Sequence, residues 1–289
     1  MMKTALLGLH AETPVHAGAS SAAYGVDLPI QREAPTDWPC IFGSSMKGAL
    51  RARAESVFTE KQMVRVIFGP DTDRASDHAG AVSIGDARLL LLPIRSLSSH
   101  FKWVTCPALL KRFGHDCRRL GITGVPQDSS VPDVPIEEVL VPEGSGPVFL
   151  EEFRLEARTG GTLNAWIEAF TRLFGLSETD LKRQLAVVHN DLFSILTRFG
   201  LPVNAHIALD NDTKTVKQGA LWYEETLPPE TVLYVPVMAS DSRAADVNLS
   251  ADLVLNHLTG TLFEQHPYLQ VGGNETTGMG WFRVHVTHA

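Results

Sequence analysis

No apolar run in the sequence approaches the roughly 18 residues a membrane-spanning helix needs, so no membrane partner is expected. The opening, Met1 to His10, carries one cation and a short apolar stretch, and it reads as a first strand rather than a secretion signal. Cysteine is scarce. Cys40, Cys106 and Cys117 are scattered, odd in number and form no CxxC pair. This argues against a disulfide framework and a cysteine-based zinc site, and it fits a reducing, cytoplasmic setting. Positive charge is also short: 25 Lys and Arg stand against 33 Asp and Glu, a net charge of −8. Bulk electrostatic binding of nucleic acid usually shows as a basic domain, so any such binding must use a local strip or backbone amides. Walker and Rossmann phosphate-binding patterns are both missing, which counts against a nucleotide-binding enzyme of either kind.

The chain has 289 residues, 44% of them hydrophobic, enough for one elaborate domain or two small ones. Strand-like runs cover residues 3–11, 81–84, 89–94, 101–106, 148–157, 203–209, 216–223, 231–238 and 281–286. Helical spacing covers 44–58, 107–113, 163–174, 178–199 and 249–263, with Ser44 or Ser45 as the expected cap of the first helix. Strands in runs as well as alternations give an α+β expectation. Residues 12–42 form a long loop rich in Gly and Pro, a length that is usually functional or disordered. Residues 121–147, rich in Pro, Gly, Ser and Asp, read as a flexible insertion.

Four segments carry chemistry. In Gly43-Ser44-Ser45-Met46-Lys47-Gly48-Ala49-Leu50-Arg51, small residues open a helix, and Lys47 and Arg51 sit one turn apart. Free amides, hydroxyls and the helix dipole there suit a phosphate, although an ordinary capped helix has the same look. The second segment, residues 269–281, holds Gly272, Gly273, Gly278 and Gly280 between two strands. Backbone amides exposed in such a loop, with Asn274, Thr276 and Thr277, can hold a phosphodiester without net positive charge. A bulged hairpin loop is the plainer alternative. The third is the long first loop, with His16, Asp27, Arg32 and Glu33. A carboxylate and an imidazole can deprotonate a ribose 2′-hydroxyl or hold a divalent ion, but a lone loop Asp is more often a turn residue. The fourth, residues 214–225, sets Lys214 and Lys217 before Trp222 and Tyr223, which suits splayed bases as well as it suits a hairpin with a core tryptophan. His115-Asp116-Cys117 matches no defensible zinc spacing. The nearby Lys111, Arg112, Arg118 and Arg119 read as a solvated helix face.

In this order the segments resemble the RAMP superfamily, and within it the backbone subunit of the type III-B (Cmr) CRISPR effector. The matching phrases are His16-Ala17-Gly18 with the run from Tyr24 to Glu33, the run from Gly43 to Gly48, Gly219-Ala220-Leu221-Trp222 with Glu224-Glu225-Thr226-Leu227-Pro228, and the run from Val271 to Gly278. They span nearly the whole chain. The resemblance implies one RAMP domain over residues 1–289: a ferredoxin-like, RRM-type palm with inserted helices and a β-hairpin thumb. The thumb is expected at 210–230, with 121–147 as the alternative segment. It implies a head-to-tail filament of copies on a guide RNA, alongside other effector subunits, and cleavage of complementary target RNA at regular intervals. It further implies Asp27 as the cleavage residue and ligand of a divalent ion (Mg2+ or Mn2+), with His16 in support and Glu224 as a third acidic candidate. Ser44, Ser45, Lys47 and Arg51, together with Gly272, Gly273, Asn274, Thr276, Thr277 and Gly278, are expected to grip the guide backbone. A backbone subunit that holds RNA without cutting it is the alternative.

Overall fold

The computed structural model describes residues 2–20, 25–71, 73 and 76–289, so Tyr24 of the first-loop phrase lies outside the described residues. Six elements make the palm: β1 (Lys3–Ala11), α1 (Gly43–Val57), β4 (Ala87–Arg95), β12 (Val232–Ala239), α7 (Ala251–Asn256) and β14 (Trp281–His288). Their strands lie in the order β14-β1-β12-β4, each antiparallel to its neighbour. That βαββαβ pattern with the first strand inside is the ferredoxin-like arrangement expected from the resemblance. Short strands β2 (Cys40–Ile41) and β3 (Val82–Ile84) and the helix α2 (Lys61–Phe68) precede β4, and β13 (Tyr268–Gln270) pairs with β14.

Residues 96–231, between β4 and β12, are one large insertion. It adds β5 (Phe101–Thr105), α3 (Pro107–Leu120), β6 (Glu138–Val141), β7 (Pro147–Leu150), β8 (Phe153–Thr159), α4 (Thr162–Phe174), α5 (Glu178–Gln184), β9 (Leu185–Val188) and α6 (Asn190–Phe199). Its strands extend the palm as β4-β5-β9-β6-β8-β7, giving a twelve-stranded sheet among the described residues. Two readings from sequence change here. The helix expected over 178–199 is broken by β9, because Leu185-Ala186-Val187-Val188 is buried on both faces and slots between β5 and β6. Within 121–147, expected to be flexible, residues 138–141 form β6 and pair with β8 and β9. The helix expected over 249–263 is shorter, passing into a wide π-turn at His257–Thr261.

β1 shows why the palm is closed. Its Ala5, Leu7, Leu9 and Ala11 enter a core that includes Met46, Leu50, Val254 and Leu258 from the α1–α7 side. Leu6 points the other way, into a core with Phe113, Trp166, Phe170 and Tyr234 from the α3–α4 side. Alternation along a strand places these sets on opposite faces. Gly8 is required on the second face: a Cβ there would lie 2.6 Å from the Phe174 ring and 2.9 Å from the Leu173 carbonyl. Both faces of the sheet are therefore covered at β1, whereas β8 and β14 keep exposed positions along their lengths. The three cysteines are buried and free, and burial pushes each thiol up to about 12. Among the described residues, no helix is long and apolar enough to cross a membrane.

The last part of the insertion, β10 (Val203–Leu209) and β11 (Val216–Glu225), leaves the sheet altogether and forms a two-stranded hairpin. The segment expected as a thumb, 210–230, overlaps this hairpin, whose first strand begins earlier, at Val203. Residues 210–215 are the turn, and residues 226–230 lie at the palm.

Candidate RNA-cleavage site

Three segments meet where β11 reaches the palm. Val15 pairs with Leu227 through two 2.9 Å backbone hydrogen bonds, which lays the first loop along the end of the hairpin. Leu28 does the same further out: its N–H donates to the Tyr223 carbonyl, and its carbonyl accepts from the Glu225 N–H, both at 3.0 Å. The glycine loop closes the third side. The Gly273 N–H donates to the His16 carbonyl at 2.9 Å, and the Gly280 N–H to the Pro14 carbonyl at 2.8 Å. Gly272 has φ 93°, and a Cβ there would lie 2.4 Å from the His16 carbonyl oxygen, so only glycine permits this approach.

Asp27 is exposed at this junction. Its Oδ2 accepts the Tyr223 N–H at 2.8 Å, which fixes the side chain and leaves Oδ1 without a hydrogen-bond partner among the described residues. His16 is buried. Its Nδ1 lies 2.8 Å from the Glu225 carbonyl oxygen, which can only accept. Nδ1 therefore carries a hydrogen. Nε2 faces the bare Cα of Gly18, where a Cβ would come within 2.8 Å. Glu224 is also buried and accepts the Asn274 amide at 2.6 Å. That contact ties the glycine loop to β11. The three segments thus bring Asp27, His16, Glu224 and Asn274 to one junction, where Asp27 and Asn274 are exposed while His16 and Glu224 are buried.

The helix start behaves differently. The N-cap is Phe42, without a side-chain cap, and not Ser44 or Ser45. The first amide, Gly43 N–H, donates to Asp86 Oδ1 at 2.7 Å, so a carboxylate of the protein already occupies part of the anion position. The Ser45 hydroxyl accepts from Gln31 Nε2 at 3.1 Å, while Ser44 is exposed. Arg51 does not join Lys47. It pairs with Glu55 at 3.0 Å and with Asp71, and it donates to the Gly69 carbonyl at 3.1 Å. Lys47 is left as the uncommitted cation of this segment. In the glycine loop, residues 272–278, with Gly272 and Thr276 among them, are all exposed, but the N–H groups of Gly273, Thr277 and Gly278 are already used, donating to the carbonyls of His16, Asn274 and Glu275 at 2.9, 3.0 and 2.9 Å. Positive φ at Asn274 and Gly278 turns that backbone outward.

Reading residue by residue for chemistry missed the clasp. Arg32 donates to Glu225 Oε1 at 2.5 Å, the two side chains being only 9% and 7% exposed, and also to the carbonyls of Asp37 and Thr197. Glu225 Oε2 accepts the Ile30 N–H at 3.1 Å. Gln31 donates to the Gly18 carbonyl and accepts the Phe42 N–H at 2.6 Å, and Glu33 binds Arg112 at 2.6 Å. Three consecutive polar residues in a glycine-rich loop were the available signal. Arg112 also stacks on Trp38, Arg118 binds Asp128, and Arg119 binds Asp116, so the expected solvated basic face is largely paired. Asp116 is held by Arg88 and the Tyr234 hydroxyl, which accounts for it without a metal. Trp222 is stacked on His206 with ring centroids 5.5 Å apart, on the hairpin and not in the core.

Among the described residues, no three His, Cys, Asp or Glu side chains converge as a metal cage. A single carboxylate with a free oxygen still fits a hard divalent ion, because magnesium is commonly held by one or two carboxylates together with substrate phosphates.

The RAMP superfamily profile matches residues 9–283. A Pyrococcus furiosus protein named CRISPR system Cmr endoribonuclease Cmr4 is 35% identical over 294 aligned residues, covering 98% of this chain and 95% of that one. The crystal structure of oligomeric Cmr4 from Pyrococcus furiosus superposes with a TM-score of 0.77 at 26% identity, over 100% of this chain and 99% of that chain. A chain of the cryo-EM structure of the type III-B Cmr-beta complex bound to cognate target RNA shares the fold, with a TM-score of 0.76 at 20% identity over 99% and 97% of the two chains. Family profile, sequence and architecture agree over almost the full length, and the chain belongs to the RAMP superfamily.

Proposed function

We propose that this chain is the guide-RNA-binding backbone subunit of a type III-B CRISPR effector, stacked head to tail with copies of itself beside other subunits in the cytoplasm, and that it cuts target RNA paired to the guide. The observation that carries this reading is Asp27, an exposed carboxylate pinned by a backbone amide at the foot of a hairpin that stands clear of the sheet. The hairpin suits insertion between guide and target. A target nucleotide splayed there can bring its 2′-oxygen into line with its own 3′-phosphate, which A-form geometry prevents.

Asp27 then accepts the 2′-hydroxyl proton as the 2′-oxygen bonds to phosphorus. The bond to the next 5′-oxygen breaks, and that oxygen takes a proton from water, leaving a 2′,3′-cyclic phosphate and a 5′-hydroxyl. Asp27 would hold a magnesium or manganese ion, which would supply neutralisation of the charge that builds on the phosphate. His16 and Glu224 act from behind, holding the hairpin foot and the glycine loop against Asp27. Lys47, Ser44 and the exposed glycine loop of 272–278 supply the backbone grip, which reconciles RNA binding with a net charge of −8.

The test is cleavage of labelled complementary RNA by the guide-loaded complex, with and without Mg2+. Regularly spaced products are expected from wild type, with the rate falling about 10²–10⁴-fold in Asp27→Ala while assembly is kept. Equal rates would remove Asp27 from the reaction. A well-assembled wild-type complex that never cuts would leave the non-cleaving backbone subunit instead.

A further inference from the structure

We propose that the cleft between the β4–β5 turn and the β6–β7 loop is a second anion site, shaped for a phosphate group. The cleft encloses about 900 Å³. Lys102, His100 and Ser96 line it from one side, Ser145 and Glu143 from the loop opposite, and Arg183 from the end of α5. Lys102 is the anomaly. It is only 7% exposed, and its ammonium donates to the Arg183 carbonyl at 2.5 Å. Among the described residues it pairs with no carboxylate. An ammonium carries three donors, so two remain unused, and lysines this buried are nearly always paired.

Burial first, and the Arg183 charge second, pull the Lys102 pKa down. Two cations therefore share a cleft without a counter-charge, and an anion between them would relieve both penalties. Glu143 does not fill that role: it is exposed on the rim, within the field of Lys182. A tetrahedral oxyanion has enough acceptors for the free ammonium donors, the guanidinium and the serine hydroxyls at once. The place is also suitable. β4 and β1 are both antiparallel to β12, so the β4–β5 turn lies at the same end of the sheet as the Asp27 loop. The phosphate could come from an RNA backbone passing that end or from free phosphate.

Thermal unfolding of the full chain, in phosphate and in chloride at equal ionic strength, tests the site. The general salting effect of phosphate is common to all variants, so the site appears as the difference between them. Phosphate in large excess should raise the wild-type midpoint by about 5 °C more than it raises that of Lys102→Met. In chloride, Lys102→Met should melt above wild type, since the side chain keeps its bulk and loses its unneutralised charge. Arg183→Gln, an exposed change that cannot disturb the core, should lose part of the same increment. Equal phosphate increments in wild type and Arg183→Gln, with Lys102→Met no different, would overturn the proposal. A short oligouridylate at matched phosphate concentration separates the sources. If it reproduces the increment, the ligand is RNA backbone; if it is inert while inorganic phosphate works, the ligand is free phosphate.

Discussion

Along the hairpin's outer part, Ile207 and Leu221 sit opposite one another with 50% and 54% of their surfaces in water. A few residues further along the same strand, Glu224 and Glu225 are buried. Ordinary burial is thus inverted along one hairpin: apolar outside, charged inside. The base can bury carboxylates because each has a partner, Asn274 for Glu224 and Arg32 for Glu225. The outer part exposes Ile207, Leu209, Val216 and Leu221, and contiguous exposed apolar patches mark interaction sites. The base holds Asp27 through the chain's own contacts, and the tip carries apolar surface that the described residues leave uncovered.

Breaking the base should have the larger effect. Glu225→Ala leaves the Arg32 guanidinium buried and unpaired, and a loss of about 3–5 kcal/mol is expected by denaturant unfolding. Replacing both partners with apolar residues should recover most of it. Next comes the glycine loop. Gly272→Ala must be accommodated at φ 93° against the His16 carbonyl, whereas Gly278→Ala, at φ 83°, meets open space. Both carry backbone strain of about 1–3 kcal/mol, so the excess loss in Gly272→Ala measures the close approach alone. At the tip, Ile207→Ser with Leu221→Ser should change the stability of the isolated chain by no more than about 0.5 kcal/mol per site. The same pair should weaken target cutting by the assembled complex; unchanged cutting would show that the exposed patch has no partner there. Smallest is the helix start. Lys47→Ala should lower the salt slope of guide binding by about 1, while Arg51→Ala, already neutralised by Glu55 and Asp71, should leave it unchanged.

The palm was largely legible because its strands alternate or run apolar over seven to ten residues, as β1, β4 and β12 do. β9 was not, because Leu185–Val188 follows a helix and precedes another, and four apolar residues fit either period. At the site, Asp27, His16 and Glu224 were legible as a set, but not their division of labour. Whether a carboxylate is open or buried depends on which segment lies over it, and here the covering residues come from the far end of the chain.

The amino-acid sequence by itself determined the α+β class, the chemistry-bearing phrases and the absence of bulk positive charge, because composition and periodicity are local properties. Only the tertiary structure decided that both sheet faces are covered at β1, that Arg51 is neutralised, and that Asp27 is exposed while His16 and Glu224 are buried. The exposure of Asp27 follows from contacts between segments more than 250 residues apart, such as Gly273 on His16, for which no local pattern exists, and Arg51 is neutralised by Asp71 from beyond its own helix as well as by Glu55 one turn along.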